Sequence, residues 1–257
     1  MAERVFIPDW PGLPGHIGVL STLRNGGVSV APYDDGSGSG GFNLATHVGD
    51  SMDRVMQNRA LLAQFLPAAP VWLSQVHGTR ALDMGVANDD LTADACFTSR
   101  SNVICAVQTA DCLPVLLCDP KNNVVAAAHA GWRGLLHGVL ENTLAMMLKS
   151  GAELDNIMVW LGPAIGVLEF EVGAEVRKFF VETNPAAQAA FKLSAARPDK
   201  YDADIYQLAR LRLQRAGVLR IAGGNFCTVS EPEKFYSYRR NGVTGRMASL
   251  IWIKERP

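Results

Sequence analysis

His77, Cys112 and His129 are the residues of this sequence best suited to holding a metal. Each stands at one end of a strand-like run, beside a glycine, an aspartate or a turn: His77 in WLSQVHGT, Cys112 in TADCLPVLL, His129 in VVAAAHAGWRG. Two imidazoles and a thiolate are strong ligands for Zn²⁺, and a fourth position left open to water is the arrangement of catalytic rather than structural zinc. In favourable sites zinc lowers the pKa of its water from about 15.7 to about 7. Asp111 and Gln75 are the neighbours best placed in sequence to orient ligands or water. The three candidates are separated by 35 and 17 residues, without a tight local motif. The same residues therefore also suit a buried thiol with two hydrogen-bonded core histidines, or a metal-free cysteine hydrolase with Cys112 as nucleophile and His129 as base. Cys96, Cys105, Cys118 and Cys227 lie in apolar or turn contexts and read as inert.

The elements that must carry these residues follow from periodicity. Residues 51–66 predict a helix, with Met52, Val55, Met56, Leu62, Ala63 and Leu66 at helical spacing, Asp50 or Ser51 as cap and Pro67 as stop. Residues 135–148 predict a second, with Gly151 beyond its end. Residues 204–216 predict a third, capped by Asp202 or Asp204 and closed by Gly217. Strands are expected over 71–73, 103–108, 113–118, 124–129, 157–161 and 247–253, with a DPKNN reversal at 119–123. Strands come in runs rather than in alternation with helices. This predicts an α+β single domain with mixed β-sheets flanked by helices. The glycine-rich DGSGSGG stretch, 35–41, reads as a mobile surface loop.

The bulk numbers set limits. With 257 residues, 48% of them hydrophobic, the chain can bury a large core without disulfides. Its 24 Lys and Arg against 25 Asp and Glu leave no basic excess for a nucleic-acid backbone, so a small-molecule substrate is expected. No run has the length of a secretory leader core or of a membrane span. Five cysteines, an odd number, suit reduced thiols and a cytoplasmic location. A monomer is expected, with no nucleic-acid or membrane partner.

Several longer strings carry a resemblance: SQVHGT, TADCLPVLLCD, AAAHAGWRGL, LGPAIG, FEVG and FYSYRRNGVTGRMAS. In this order they resemble the YfiH-like laccase-domain family, once called multicopper polyphenol oxidases. The likeness runs from VFIPDW near the start to LIWI near the end. It implies a YfiH-like fold across 1–257 and zinc on His77, Cys112 and His129. It also implies a purine nucleoside phosphorylase and adenosine deaminase, acting on adenosine, inosine, guanosine and methylthioadenosine with phosphate. Some bacterial members of the family are tied to peptidoglycan editing. STLRNGGVS resembles the family's arginine–glycine motif and places Arg24 near substrate; FNLATHVGD points likewise to Asn43 and His47.

Arg133, at the start of the expected 135–148 helix, adds a bidentate phosphate donor, next to a helix end that favours anions. Cys112, Asp111 and Arg133 are thus the expected catalytic residues, with Arg24, Asn43, His47, Gln75 and Arg133 binding substrate. Copper could substitute for zinc and give a polyphenol oxidase side activity. A full multicopper oxidase needs a type 1 centre and a trinuclear cluster, both rich in histidine, and the chain has five histidines.

Overall fold

The runs LPVLLCD and VVAAAHA are apolar at nearly every position, the pattern of strands covered on both faces. In the computed structural model, which describes residues 3–195 and 197–255, both are strands buried along their whole length. Both ends of the expected 1–257 span, and position 196, lie outside the described residues. The first half of the chain forms β1 (Val5–Phe6), β2 (Ile17–Thr22), β3 (Asn25–Ser29), α1 (Met52–Ala63), β4 (Ala81–Asp83), β5 (Ala95–Thr98), β6 (Ile104–Thr109) and β7 (Leu113–Asp119). Then come β8 (Val124–Ala130), α2 (Trp132–His137), α3 (Val139–Lys149), β9 (Met158–Leu161), β10 (Glu171–Gly173) and α4 (Ala174–Thr183). The last are β11 (Phe191–Leu193), β12 (Lys200–Ala203), α5 (Ile205–Arg215), β13 (Arg220–Gly223), α6 (Tyr238–Asn241) and β14 (Met247–Ile253).

A six-stranded mixed sheet has the order β13-β9-β7-β8-β5-β4, with β13–β9 and β4–β5 parallel and the inner pairs antiparallel. A four-stranded antiparallel sheet, β1-β2-β14-β6, lies against one face of it. Strand alternation sorts the side chains between layers. Leu113, Val115 and Leu117 of β7 meet Leu140, Leu144 and Met147 of α3 and Leu208 of α5, whereas Leu116 and Cys118 meet Cys105, Val107 and Ile251 of the second sheet. The far face of that sheet, Leu20, Ala106 and Leu250, is covered by Leu62 of α1 together with Phe42 and Leu44. The single α+β domain with mixed sheets and flanking helices is therefore layered helix, sheet, sheet, helix. Each fully buried leucine contributes roughly 1.5–3 kcal/mol.

Three local expectations are corrected. The helix expected over 135–148 is two helices, α2 and α3, because Gly138 sits between them at φ +97, a left-handed conformation that ends one helix and redirects the chain. The strand expected over 71–73 does not form: Val71 is exposed and the segment makes a single bridge, Ser74 to Thr92. On α1, Met52 and Met56 face outward, while Asn58 is buried and donates to the carbonyls of Gly41 and Asn43 and to Ser29. In the 35–41 loop, the Asp35 carboxylate accepts from the backbone N–H of Ser37 and Ser39. Among the described residues no helix is long and apolar enough to cross a membrane.

Candidate metal centre and its cavity

The sheet register brings the candidate ligands to one edge. β7 and β8 are antiparallel with Leu113 opposite Ala130 and Pro114 opposite His129, so Cys112, just before β7, arrives beside His129 near the end of β8. β5 pairs β8 from the other side, Ala95 opposite Ala128, which puts Asp94 at the same edge. His77 comes from the loop that passes this edge. The donor atoms of His77, Cys112 and His129 all lie within 4.8 Å of one another, and Cys112 Sγ is 3.7 Å from His77 Nε2. Two donors bound to one tetrahedral zinc stand about 3.5 Å apart, so the set needs little adjustment to close on an ion.

Asp94 organises this set. It is fully buried, and its carboxylate accepts from His129 Nδ1 at 2.8 Å. This fixes the imidazole tautomer and leaves Nε2 free for a ligand, the usual partner of a metal-bound histidine. The same carboxylate accepts the backbone N–H groups of Val76, His77 and Gly78 at 3.2, 2.9 and 2.6 Å. These bonds hold His77 at φ +60, a conformation that costs a non-glycine residue energy and recurs at functional sites. Burial raises the Asp94 carboxyl, but the bonds from His129, Gly78 and Val76 outweigh it and hold it below its ordinary value.

Burial likewise raises the Cys112 thiol, yet the neighbouring imidazoles of His129 and His77 bring it down to about 6. For His129 burial favours the neutral ring, but the Cys112 thiolate and Asp94 raise it to about 9. Without a metal the two form a thiolate–imidazolium pair; both must be deprotonated to ligate one. Gly131, the N-cap of α2, lies against the set: a Cβ there would stand 2.8 Å from His77 Cδ2 and 3.0 Å from Cys112 Sγ. The donor set therefore suits zinc, with three soft or borderline ligands and one side facing a cavity. Among the described residues it is the one group of three or more His, Cys, Asp and Glu side chains close enough to share an ion.

The cavity has a volume of about 560 Å³, in the range of small-molecule sites, and is walled by the three ligands together with His47, Gln75, Gln108, Asp111, Trp132, Arg133 and Arg246. Ile165, Phe170 and Tyr238 add apolar and aromatic surface.

Comparison with known proteins identifies the lineage. Residues 18–254 match the family described as multi-copper polyphenol oxidoreductase laccase. The chain belongs to this family. Relatives named purine nucleoside phosphorylase YfiH, from Escherichia coli (strain K12) and Shigella flexneri, are each 49% identical over 254 residues, 98% of this chain and 99% of theirs. A Neisseria meningitidis crystal structure described as a DUF152 protein superposes with a TM-score of 0.88 at 44% identity, covering 98% of this chain and all of that one. The structure of YlmD from Geobacillus stearothermophilus gives a TM-score of 0.86 at 28% identity, covering 99% of this chain and 100% of its own.

The cavity collects some of the residues expected from the sequence and not others. His47, Gln75, Asp111 and Arg133 line it with the three ligands. Arg24 and Asn43 do not. The Arg24 guanidinium donates to the carbonyls of Asp34 and Pro232, with Tyr236 against its face. The Asn43 side chain, fully buried, accepts the N–H of Ala45 and Arg246 and donates to Asp50. Both are fastened into loop structure by these bonds.

Gln75 and Asp111, expected to orient ligands or water, are hydrogen-bonded to protein groups other than the ligand imidazoles. The Gln75 carboxamide is bonded in both directions to the backbone of Gln108. Asp111, at φ +88, accepts from the Thr228 hydroxyl and from the N–H of Arg239, both at 2.6 Å. Neither touches a ligand imidazole; Asp94 does. The signal for Asp94 was present in TADACFT (Thr92–Thr98), an acidic residue opening an apolar run, where a buried charge must find partners. Burial, with Arg246 and Arg59 nearby, holds His47 below its ordinary value and favours the neutral ring.

Among the described residues Arg133 makes no ion pair, and its guanidinium lies 4.5 Å from the Trp132 ring centroid. Cys96, Cys105 and Cys118 are buried, Cys227 is half-buried, and all five cysteines are free.

Proposed function

We propose that the chain is a zinc-dependent purine nucleoside phosphorylase that also deaminates adenosine. The observation that carries this reading is a pre-assembled His77–Cys112–His129 donor set opening on a cavity of nucleoside size, whose wall holds an arginine, Arg133, with no ion-pair partner among the described residues. The names of the relatives support its phosphorylase part. Zinc in this set would supply a Lewis acid at the cavity wall. The chain's own groups do the rest. Trp132, Phe170 and Tyr238 offer apolar faces for a purine, and the free Arg133 guanidinium offers paired donors to phosphate. Asp111 is held rigid at the wall, with lone pairs to spare for a proton-bearing group. In phosphorolysis a phosphate oxygen bonds to the ribose C1′ as the C1′–N9 bond breaks, and the departing purine takes that electron pair and a proton. Adenosine, inosine, guanosine and methylthioadenosine share this bond.

A metal-free cysteine mechanism has one observation in its favour, the Cys112 thiolate beside the His129 imidazolium. A multicopper oxidase does not suit a chain in which a single three-ligand group is assembled among the described residues. Metal-quantified protein incubated with adenosine, with and without phosphate, separates the readings. Adenine that forms only with phosphate, and inosine with or without it, are expected from zinc-loaded protein. Neither product from zinc-replete protein would sink the nucleoside reading. Full activity after chelation would favour the cysteine mechanism.

A further inference from the structure

Three arginines line the cavity, Arg133, Arg239 and Arg246, with Arg24 and Arg240 outside its wall, and their bonding separates them. Arg24, Arg239 and Arg240 are committed to backbone carbonyls: Arg24 to Asp34 and Pro232, Arg239 to Glu169 and Glu171, Arg240 to Thr228, Val229 and Phe235. Arg133 is exposed. Arg246 differs from all four. It is half-buried on the cavity wall, and only its Nη1 is engaged, with the carbonyls of Thr244 and Gly245 at 2.9 and 3.0 Å. Among the described residues it makes no ion pair. The nearby carboxylate, Asp111, already accepts from Thr228 and Arg239. A second polar group of this wall is also unmatched: Gln108, 6% exposed, has a buried Nε2 without a hydrogen-bond partner among the described residues. The nearest negative charges, Asp111 and Cys112, make no ion pair with Arg246, and a partly desolvated guanidinium without a directly bonded anion is unfavourable until one arrives. Its remaining Nε–Nη2 edge has the parallel two-donor geometry that fits a tetrahedral oxyanion.

We propose that the Nε–Nη2 edge of Arg246 is the seat of inorganic phosphate, held at the buried wall of the cavity beside Cys112 and Asp111, with the exposed Arg133 as an outer arm. This inference rests on the phosphorylase reading for its ligand, but phosphate binding can be measured without turnover. A guanidinium fixed by two carbonyls at its back presents its free edge in one orientation, which an exposed arginine does not.

The test is isothermal titration of inorganic phosphate into zinc-loaded wild-type protein and into Arg246→Met, Arg246→Lys and Arg133→Met variants. Circular dichroism and zinc content check that each is intact. The Arg246→Met substitution is expected to weaken phosphate binding at least about tenfold, the scale of a lost charge-assisted bidentate contact. Arg246→Lys should restore part of it as a point charge, and Arg133→Met should weaken it less. Wild-type affinity in Arg246→Met overturns the proposal, as does a wild type that binds no phosphate. If Arg246→Met weakens only inosine 5′-monophosphate and leaves inorganic phosphate unchanged, the site belongs to a nucleotide and the proposal is again overturned. Phosphorolysis assays on the same preparations test the reaction separately. A wild type that binds phosphate through Arg246 but turns over no nucleoside would uphold the site and sink the phosphorylase reading.

Discussion

Asp94 ties two ligands to one carboxylate, His129 through its ring and His77 through the backbone of its loop. Asparagine has the same shape but carries no charge and cannot accept with both ends. Asp94→Asn should therefore lower zinc affinity about 10–100-fold while leaving the fold intact, as loss of a partner behind a metal-binding histidine does. Competition against a chromophoric chelator measures it, and an unchanged affinity would refute the role assigned to Asp94. The thiolate–imidazolium pair makes a second residue-level prediction, for metal-free protein. Cys112 sits at about 6 against an ordinary 9.0, so its contribution to stability is full above 9.0 and lost as pH falls through about 6. His129 sits at about 9 against an ordinary 6.5, so its contribution is full below 6.5 and lost as pH rises through about 9. Both shifts arise from the one pair, which needs the thiolate and the imidazolium together, so its stabilisation is lost when either partner titrates. The melting temperature of wild type relative to Cys112→Ala should thus be highest between about 6 and about 9 and fall off on both sides; a difference that does not fall outside that window would mean the pair is not formed. The three ligand types were legible in the sequence because thiolate and imidazole at strand ends are uncommon. For Asp94 the sequence marks a buried acid in need of partners, but which partners depends on strand β5 lying next to β8, a pairing that residue types alone do not reveal.

At the scale of elements, α2 matters for where it starts. Its N-cap Gly131 has φ −60 and ψ 157, which any residue can adopt, so the glycine is required by space and not by backbone. A methyl there meets the His77 ring and the Cys112 sulfur. Gly131→Ala should fold, melt within a few degrees of wild type and yet bind zinc far more weakly, because the ligands must spread apart. Metal content after purification together with a melting curve tests this, and full zinc occupancy would show that the loop carrying His77 can yield. The apolar runs that gave β6–β9 and β14 were readable because strands buried on both faces leave an unbroken hydrophobic signature. The break at Gly138 was harder to read, since the apolar positions Leu135, Leu136, Val139 and Leu140 continue helical spacing straight across it. Residues 71–73 misled in the opposite sense: the run is apolar, but Val71 faces outward at the rim of the sheet, where no neighbouring strand completes a ladder.

For the molecule as a whole, the candidate metal site sits at one edge of a fold whose stability lies elsewhere. The clusters joining helices to the six-stranded sheet, the two sheets to each other and the four-stranded sheet to α1 contain none of the three ligands. Small zinc domains unfold without their ion because they have no other core; a chain with this much buried apolar surface does not depend on one. Chelation should therefore abolish nucleoside turnover and leave the far-ultraviolet circular dichroism unchanged. Stability, read from the melting curve, should fall only by the amount that tight binding to the folded state contributes, about 2.7 kcal/mol when the ion is present at 100 times its dissociation constant. Adding zinc back should restore activity in proportion to occupancy. A chelated protein that unfolds would make the ion a structural staple. One that stays folded and fully active would move the chemistry to the Cys112–His129 pair alone. Loss and recovery of turnover in a chain that stays folded throughout is the outcome expected when a rigid sheet edge presents an ion to a cavity.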